Sequence, residues 1–139
     1  MLLLKVPPDR VDVPLPAGAA LACRPPTTPL IYAARARADL LLADLVSAGE
    51  AVSKAGGRIA GGPDLDSPDG LSGARQSLFI LSVAELVATD WSGIGDEDGE
   101  ELAFDPALLA QLLIQPAVAD AFQSRYLQPI YEAIAEGNV

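Results

Sequence analysis

The spacing of hydrophobic residues changes along this chain, and the first regular segment has a period of two. Apolar residues alternate with polar residues and prolines from Val11 to Leu15. A turn at Pro16–Gly18 then leads into a second, returning segment, Ala20–Arg24. Alternation of this kind is typical of β-strands, and the prolines restrict it to an edge position. Residues 1–28 therefore predict a short N-terminal β-hairpin followed by a Pro-rich lead-in.

Helical spacing begins at Pro29. Thr28 is a candidate N-cap, and proline suits the first helical position because the backbone N–H there has no partner within the helix. The pattern predicts a first helix within residues 29–54, clearest from Pro29 to Ser47. Its apolar residues recur three and four positions apart and form a broad stripe: Ala34, Ala38, Leu41, Leu42, Leu45 and Val46.

Glycine and proline dominate residues 55–73, which predict a flexible loop with no regular element. The glycine-rich part, Gly56–Gly62, lacks the Gly-Lys-Ser/Thr ending of a phosphate-binding loop and follows no predicted strand. We interpret it as a linker.

Residues 74–139 predict a block of further helices. Leu78, Phe79, Val83 and other apolar residues at helical spacing predict a second helix from about Gly73 to Thr89. After this helix the chain becomes acidic, and Asp98-Gly99 is a strong turn signal. We therefore expect an acidic turn at residues 95–101.

Two proline-marked helix starts follow the acidic turn. Asp105 is a candidate cap for a third helix with Pro106 at its first position, and Pro116 begins a fourth. Pro129 is expected to kink or divide the fourth helix. The predicted fold is thus a single, mainly α domain of about four helices with a short N-terminal β-hairpin.

Composition narrows the choice of partners. The chain has 139 residues, half of them apolar and few aromatic, and a net charge of -10. Nucleic acids and anionic membrane surfaces bind clustered Lys and Arg, so neither is an expected partner. No segment approaches the roughly 20 apolar residues of a membrane-spanning helix.

The single cysteine, Cys23, cannot form an internal disulfide, and this fits a reducing cytoplasm. Ala20–Cys23 loosely resembles the cleavage site of a bacterial lipoprotein. However, Asp12, Pro14 and Pro16 interrupt the apolar segment that a signal peptide would need there. We therefore predict a cytoplasmic protein.

Residues suited to catalysis or metal binding are scarce. The chain has no histidine, which removes the commonest general base and metal ligand. Two acidic clusters, residues 64–69 and 96–101, lack the ligand spacing of an EF-hand, and none of the 19 acidic residues stands out as a catalytic pair. We predict no enzymatic activity, no cofactor and no metal site.

Binding through apolar surface is the function left by these exclusions. Trp91 is either a core residue or an interface anchor, since large aromatic residues serve both purposes. Phe122 and Tyr126 share one helix face, whereas Tyr131 is the better candidate for exposure. The candidate partner-binding residues are Trp91, Phe104, Phe122, Tyr126 and Tyr131.

An ordered set of motifs resembles one protein family. Asp90–Ile94 is followed by the acidic turn Asp96–Gly99, by Leu102–Pro106 opening a leucine-rich helix, and by Pro116–Phe122. Together with Arg24–Thr28 before the first helix, this order is similar to the tail assembly chaperones of long-tailed bacteriophages and related prophages. Residues 55–73 have no counterpart in that pattern.

The resemblance implies a specific role. Such a chaperone would bind the tape-measure protein, help to recruit tail-tube subunits in the cytoplasm of the bacterial host, and leave before the particle matures. Two alternatives stay open. One is an acidic inhibitor that mimics nucleic acid or blocks a defence protein, and the other is a small hydrolase or metal-binding protein. The sequence also leaves the oligomeric state open.

Overall fold

The computed structural model describes residues 1–4, 6–56 and 64–137, without the side chains of residues 53 and 133–137. It confirms a mainly α protein, 60% helical, with four helices and one small antiparallel sheet in this part of the chain. The strands are β1 (Val11–Pro14), β2 (Ala20–Cys23) and β3 (Ala88–Ser92). The helical segments are α1 (Thr28–Lys54), α2 (Pro68–Val87), α3 (Leu109–Leu113), α4 (Pro116–Phe122) and α5 (Gln128–Gly137), of which α4 and α5 belong to one continuous helix.

The chain divides into two compact units. The first contains Met1–Thr27 and Ala84–Val139, and the second contains Thr28–Val83. The boundary therefore falls within α2, whose last turn belongs to the first unit. That the whole chain forms a single domain stays a prediction.

The sheet of the first unit has three strands, so the predicted two-stranded hairpin is incomplete. Its order is β1-β2-β3, with both pairs antiparallel. Val13 pairs with Leu21, and Leu21 pairs with Trp91, so the three side chains form one row across the sheet. All three are buried. In the two edge strands this row contains the one buried residue of each strand, Val13 in β1 and Trp91 in β3. A slip by one residue would bring either side chain to the opposite face, so its burial fixes the register.

The third strand follows α2 with no intervening loop. We predicted helix to about Thr89, but the helix ends at Val87 and the strand starts at Ala88. The Arg24 N–H donates to the Val87 carbonyl at 2.8 Å, and the Thr89 hydroxyl donates to the Ala22 carbonyl at 3.2 Å. A carbonyl at the end of a helix has no partner within the helix, so β2 both stabilises the end of α2 and pairs with the residues that follow.

The second unit contains α1 and most of α2. On α1 the buried residues Ala34, Ala38 and Leu42 are four positions apart, which is the spacing of one helix face. The Arg35 guanidinium lies over the ring of Phe79 in α2, 6.0 Å from its centroid. The part of α2 that belongs to this unit contributes the buried side chains Ala74, Phe79, Ile80, Ser82 and Val83.

The start of α2 corrects the predicted loop at residues 55–73. The helix begins at Pro68, and the Ser67 hydroxyl accepts a 3.0 Å hydrogen bond from the Gly70 N–H. This arrangement is an N-cap followed by proline at the first helical position. A Cβ on Gly70 would overlap the Asp64 carbonyl oxygen, so the glycine there permits a close backbone approach. Residues 57–63 of the predicted loop lie outside the described residues.

The C-terminal helical block follows its proline signals closely. Asp105 accepts a 3.0 Å hydrogen bond from the Ala107 N–H and caps a 3₁₀-helical turn, Pro106–Leu108, which leads into α3. A π-helical turn, Gln123–Leu127, joins α4 to α5. Pro129 lacks an N–H for the usual bond to the residue four positions earlier, and its ring would collide with that carbonyl. The wider π turn relieves this conflict, so the proline modifies the helix without dividing it.

Candidate functional site

The five predicted partner-binding residues all belong to the first unit, and four of them form two pairs. Trp91 contacts Phe104 edge-on, with ring centroids 5.1 Å apart and planes at 84°. Phe122 and Tyr126 are stacked, with centroids 5.2 Å apart and planes at 14°. Tyr131 lies on α5 and is 40% exposed. The five residues therefore differ sharply in how much surface they offer to a partner.

Trp91 joins the sheet to the loop that follows it. The residue is 8% exposed, and its indole N–H donates to the carbonyl of Leu102 at 2.8 Å. The N–H of Leu102 in turn donates to the carbonyl of Ile94 at 2.8 Å. Phe104, two residues further on, is half-buried against the indole. The fold thus buries the apolar ring of Trp91 and gives its polar N–H a hydrogen-bond acceptor, as is usual for buried tryptophans.

The acidic turn between Ile94 and Leu102 is held by hydrogen bonds within the turn itself. One carboxylate oxygen of Asp96 accepts the N–H groups of Asp98, at 2.9 Å, and Glu100, at 3.0 Å. Gly99 has a φ of 81°, in the left-handed region that favours glycine. The turn therefore uses its first carboxylate for local structure. Over the described ranges, no three His, Cys, Asp or Glu side chains are grouped so that they could hold a metal ion.

The second aromatic pair anchors the helical block to the sheet. Phe122 and Tyr126 are 0% and 3% exposed, and the Tyr126 hydroxyl donates to the Arg24 carbonyl at 2.7 Å. Burial, and next the nearby Cys23, raise the pKa of this hydroxyl. The Arg125 guanidinium donates to the carbonyl of Pro14 at 2.8 Å, so the π turn holds both β1 and the end of β2.

Cys23 has the properties of a core residue. Its side chain is 1% exposed, and burial, followed by the negative charge of Asp12, raises its pKa from 9.0 to about 12. Only the thiolate is a strong nucleophile or metal ligand, and at neutral pH this group is a protonated thiol. The thiol of Cys23 is therefore buried, and in its protonated form it is a weak nucleophile and a weak metal ligand.

Two kinds of exposed apolar side chain remain in this unit. Tyr131, which sequence reasoning singled out, is on α5, and Ile114, which it missed, is 76% exposed at the end of α3. Ile114 stands just before the Gln115-Pro116 break, and an apolar residue at a helix end is the signal that could have identified it. Near the N-terminus, Leu2, Leu4 and Val6 are also 94% exposed or more.

Comparisons with known proteins identified no relative of this chain. In the part of the chain that the structure describes, no helix is both long and apolar enough to cross a membrane. A scan against models of protein families found no match, and neither did searches of curated proteins and of solved structures.

Proposed function

We propose that this protein is a tail assembly chaperone of a long-tailed bacteriophage or related prophage. It binds the tape-measure protein in the cytoplasm of the bacterial host, helps to recruit tail-tube subunits, and acts without catalysis. The ordered motifs between Asp90 and Phe122 suggest the family. The observation that carries the binding role is the exposure of Ile114 and Tyr131 in the helical block.

The distribution of the aromatic residues supports a division of roles. Trp91, Phe122 and Tyr126 are buried and hydrogen-bonded or stacked inside the first unit, so each stabilises the fold. Tyr131 and Ile114 leave apolar surface exposed to water. This exposed surface does not contribute the stabilisation that burial gives to an apolar side chain. Helical partners dock on such side chains, because an amphipathic helix buries its apolar face against them. The partner-binding function is therefore assigned to Ile114 and Tyr131 first.

The charge of the chain fits the same role. A chaperone that shields the aggregation-prone helices of a tape-measure protein must keep the complex in solution. The net charge of -10 provides repulsion between complexes. The acidic turn at Asp96–Glu101 is exposed and contributes to that charge.

Co-expression tests this proposal. The tape-measure protein encoded in the same genome is produced alone and together with the affinity-tagged chain, and its soluble fraction and co-purification are measured. We expect the chain to increase the soluble fraction and to retain the tape-measure protein on the affinity resin. An unchanged soluble fraction and no co-purification would overturn the proposal. An unrelated acidic protein of similar size and charge serves as the control for a general effect of charge.

A further inference from the structure

The negative charge of the chain is concentrated in the part that contains Ile114. Residues 88–139 hold ten acidic residues and one basic residue, Arg125, whereas residues 28–83 hold six acidic and five basic residues. The Arg125 guanidinium donates to the carbonyl of Pro14. Among the described residues, no carboxylate from Asp90 to Glu132 takes part in a salt bridge. The carboxylates of this part of the chain are therefore not neutralised within the fold.

Ile114 lies in an uncharged stretch that has a carboxylate at each end. Residues 106–119 contain no charged side chain, and Asp105 and Asp120 bound them. Ile114 is 76% exposed, and both aspartates are exposed as well. One oxygen of Asp105 accepts the N–H of Ala107, which leaves its negative charge in place. Asp120 has neither a hydrogen bond nor an ion pair within the described part of the chain.

Both aspartates are close enough to Ile114 to contact the same docked helix. Asp120 is in the second turn of α4, so its Cα is no more than about 14 Å from the Cα of Ile114. Asp105 precedes the 3₁₀ turn and α3, which together place it roughly 15 Å from Ile114. An α-helix of about five turns is roughly 27 Å long and spans these distances.

The backbone around Ile114 determines how a partner can bind there. The Ile114 N–H donates to the Ala110 carbonyl at 3.0 Å, and the Val118 and Ala119 N–H groups both donate to the Gln115 carbonyl at 3.1 Å. These donors are therefore not available to pair with an added strand. A partner must bind through side chains, and an amphipathic helix presents several side chains on one face at suitable spacing.

We propose that Ile114 binds a basic amphipathic helix. An apolar side chain of the partner covers Ile114, and Lys or Arg residues of the same helix pair with Asp120 and Asp105. Charge complementarity argues for this occupant, because an acidic partner or a second copy of this chain would bring like charges together. The inference deepens the proposed function and rests on it for the identity of the partner, since the helix belongs to the tape-measure protein.

Two synthetic helical peptides test this chemistry without the tape-measure protein. Each has about 18 residues with Leu along one face. The residues beside that face are Lys in one peptide and Glu in the other. Fluorescence anisotropy with the full chain should show at least about tenfold tighter binding of the Lys peptide, and added salt should weaken this binding. Equal affinity for the two peptides would overturn the proposal.

Variants of the full chain locate the binding site. Ile114→Ser removes the apolar contact without adding a charge and should weaken binding of the Lys peptide by at least about tenfold. Asp120→Lys should weaken it by at least about fivefold. Asp39→Lys makes the same charge change at an exposed position of α1, in the second unit, and should leave the affinity within about twofold.

Circular dichroism of each variant shows that the helices are retained. Unchanged affinity in Ile114→Ser, or equal losses in Asp120→Lys and Asp39→Lys, would contradict binding at this site.

Capture of the tape-measure protein separates this inference from the proposed function. If the wild type captures that protein and Asp120→Lys captures it equally well, the inference is overturned and the chaperone role stands. If the wild type captures none while the peptides behave as expected, the chaperone role is overturned and the preference of Ile114 for a basic helix stands.

Discussion

The indole N–H of Trp91 donates a 2.8 Å hydrogen bond to the backbone carbonyl of Leu102, eleven residues further along the chain. This bond joins the third strand to the far side of the acidic turn. Because the Leu102 N–H also bonds to Ile94, both polar backbone groups of Leu102 are used. The most distinctive stretch of the sequence is thus folded on itself around one tryptophan.

Replacing this tryptophan tests its structural role. Trp91→Phe removes the N–H and part of the ring that contacts Phe104, and leaves the Leu102 carbonyl without its indole donor. We expect a loss of about 1–3 kcal/mol in the free energy of unfolding, measured by urea denaturation followed by circular dichroism. Tyr131→Phe, at an exposed site, should change stability by less than about 0.5 kcal/mol. Equal stability of Trp91→Phe and the wild type would argue against this role.

Two glycines with positive φ should respond differently to the same substitution. Gly93 and Gly99 have φ values of 70° and 81°. A Cβ at Gly93 would lie 3.1 Å from the Cα of Ala19, whereas a Cβ at Gly99 has nothing within 4 Å. Gly99→Ala should cost about 1–2 kcal/mol from backbone strain alone. Gly93→Ala should cost more, because the chain at Ala19 must also move. Thermal denaturation of both variants checks the order, and a reversed order contradicts the packing of Gly93 on the turn before β2.

The buried thiol makes stability depend on pH in the alkaline range. The folded chain holds the Cys23 proton more tightly, with a pKa of about 12 against an ordinary value of 9.0. The resulting stabilisation is fully present below about pH 9 and is lost as the pH rises toward 12. Tyr126, whose pKa is also raised, acts in the same direction.

Cys23→Ala removes the thiol contribution, together with the part of the raised Tyr126 pKa that Cys23 causes, and leaves the Tyr126 hydroxyl buried. Between about pH 7 and pH 10.5, the wild type should lose more free energy of unfolding than Cys23→Ala does. A thiol reagent should label Cys23 slowly in the folded protein and rapidly in denaturant. Fast labelling at neutral pH without denaturant would show that the sheet does not enclose this residue.

A buried hydroxyl in the second unit gives the fourth prediction. Ser82 is 0% exposed, and its hydroxyl has no hydrogen-bond partner among the described residues. A buried polar group without a partner costs about 1–3 kcal/mol. Ser82→Ala should therefore keep or raise the midpoint of urea unfolding, whereas Ser72→Ala, at an exposed position of the same helix, should leave it unchanged. A clear loss of stability in Ser82→Ala would mean that the hydroxyl is bonded.

The sequence predicted those features that depend on nearby residues. Asp105 and Pro106 mark a helical start because the cap and the proline act within one turn. Pro129 likewise acts on the preceding turn of its own helix. The main error at short range was the start of α2, where the glycines outweighed a cap-and-proline signal at Ser67 and Pro68.

The third strand was missed because its partner is distant in sequence. Ala88–Ser92 continues directly from a helix, and its hydrogen-bonding groups are satisfied by β2, some 70 residues earlier. Its sequence, Ala-Thr-Asp-Trp-Ser, does not alternate apolar and polar residues, and its buried residue, Trp91, is equally compatible with a helix end. The exposure of Ile114 was missed because helical spacing alone does not show which apolar residues lack a neighbour; its place at the end of α3 was the available signal.

The central claim is that Ile114 and Tyr131 form contacts with a tape-measure protein. The most direct measurement is affinity capture of that protein, encoded in the same genome, by purified wild-type chain and by matched variants. Ile114→Asp should reduce capture by at least about tenfold, and Gln111→Asp, which adds the same charge at an exposed position of α3, should retain it. Tyr131→Ala should also reduce capture. Equal capture by the wild type, Ile114→Asp and Tyr131→Ala, or no capture by the wild type, would contradict the account.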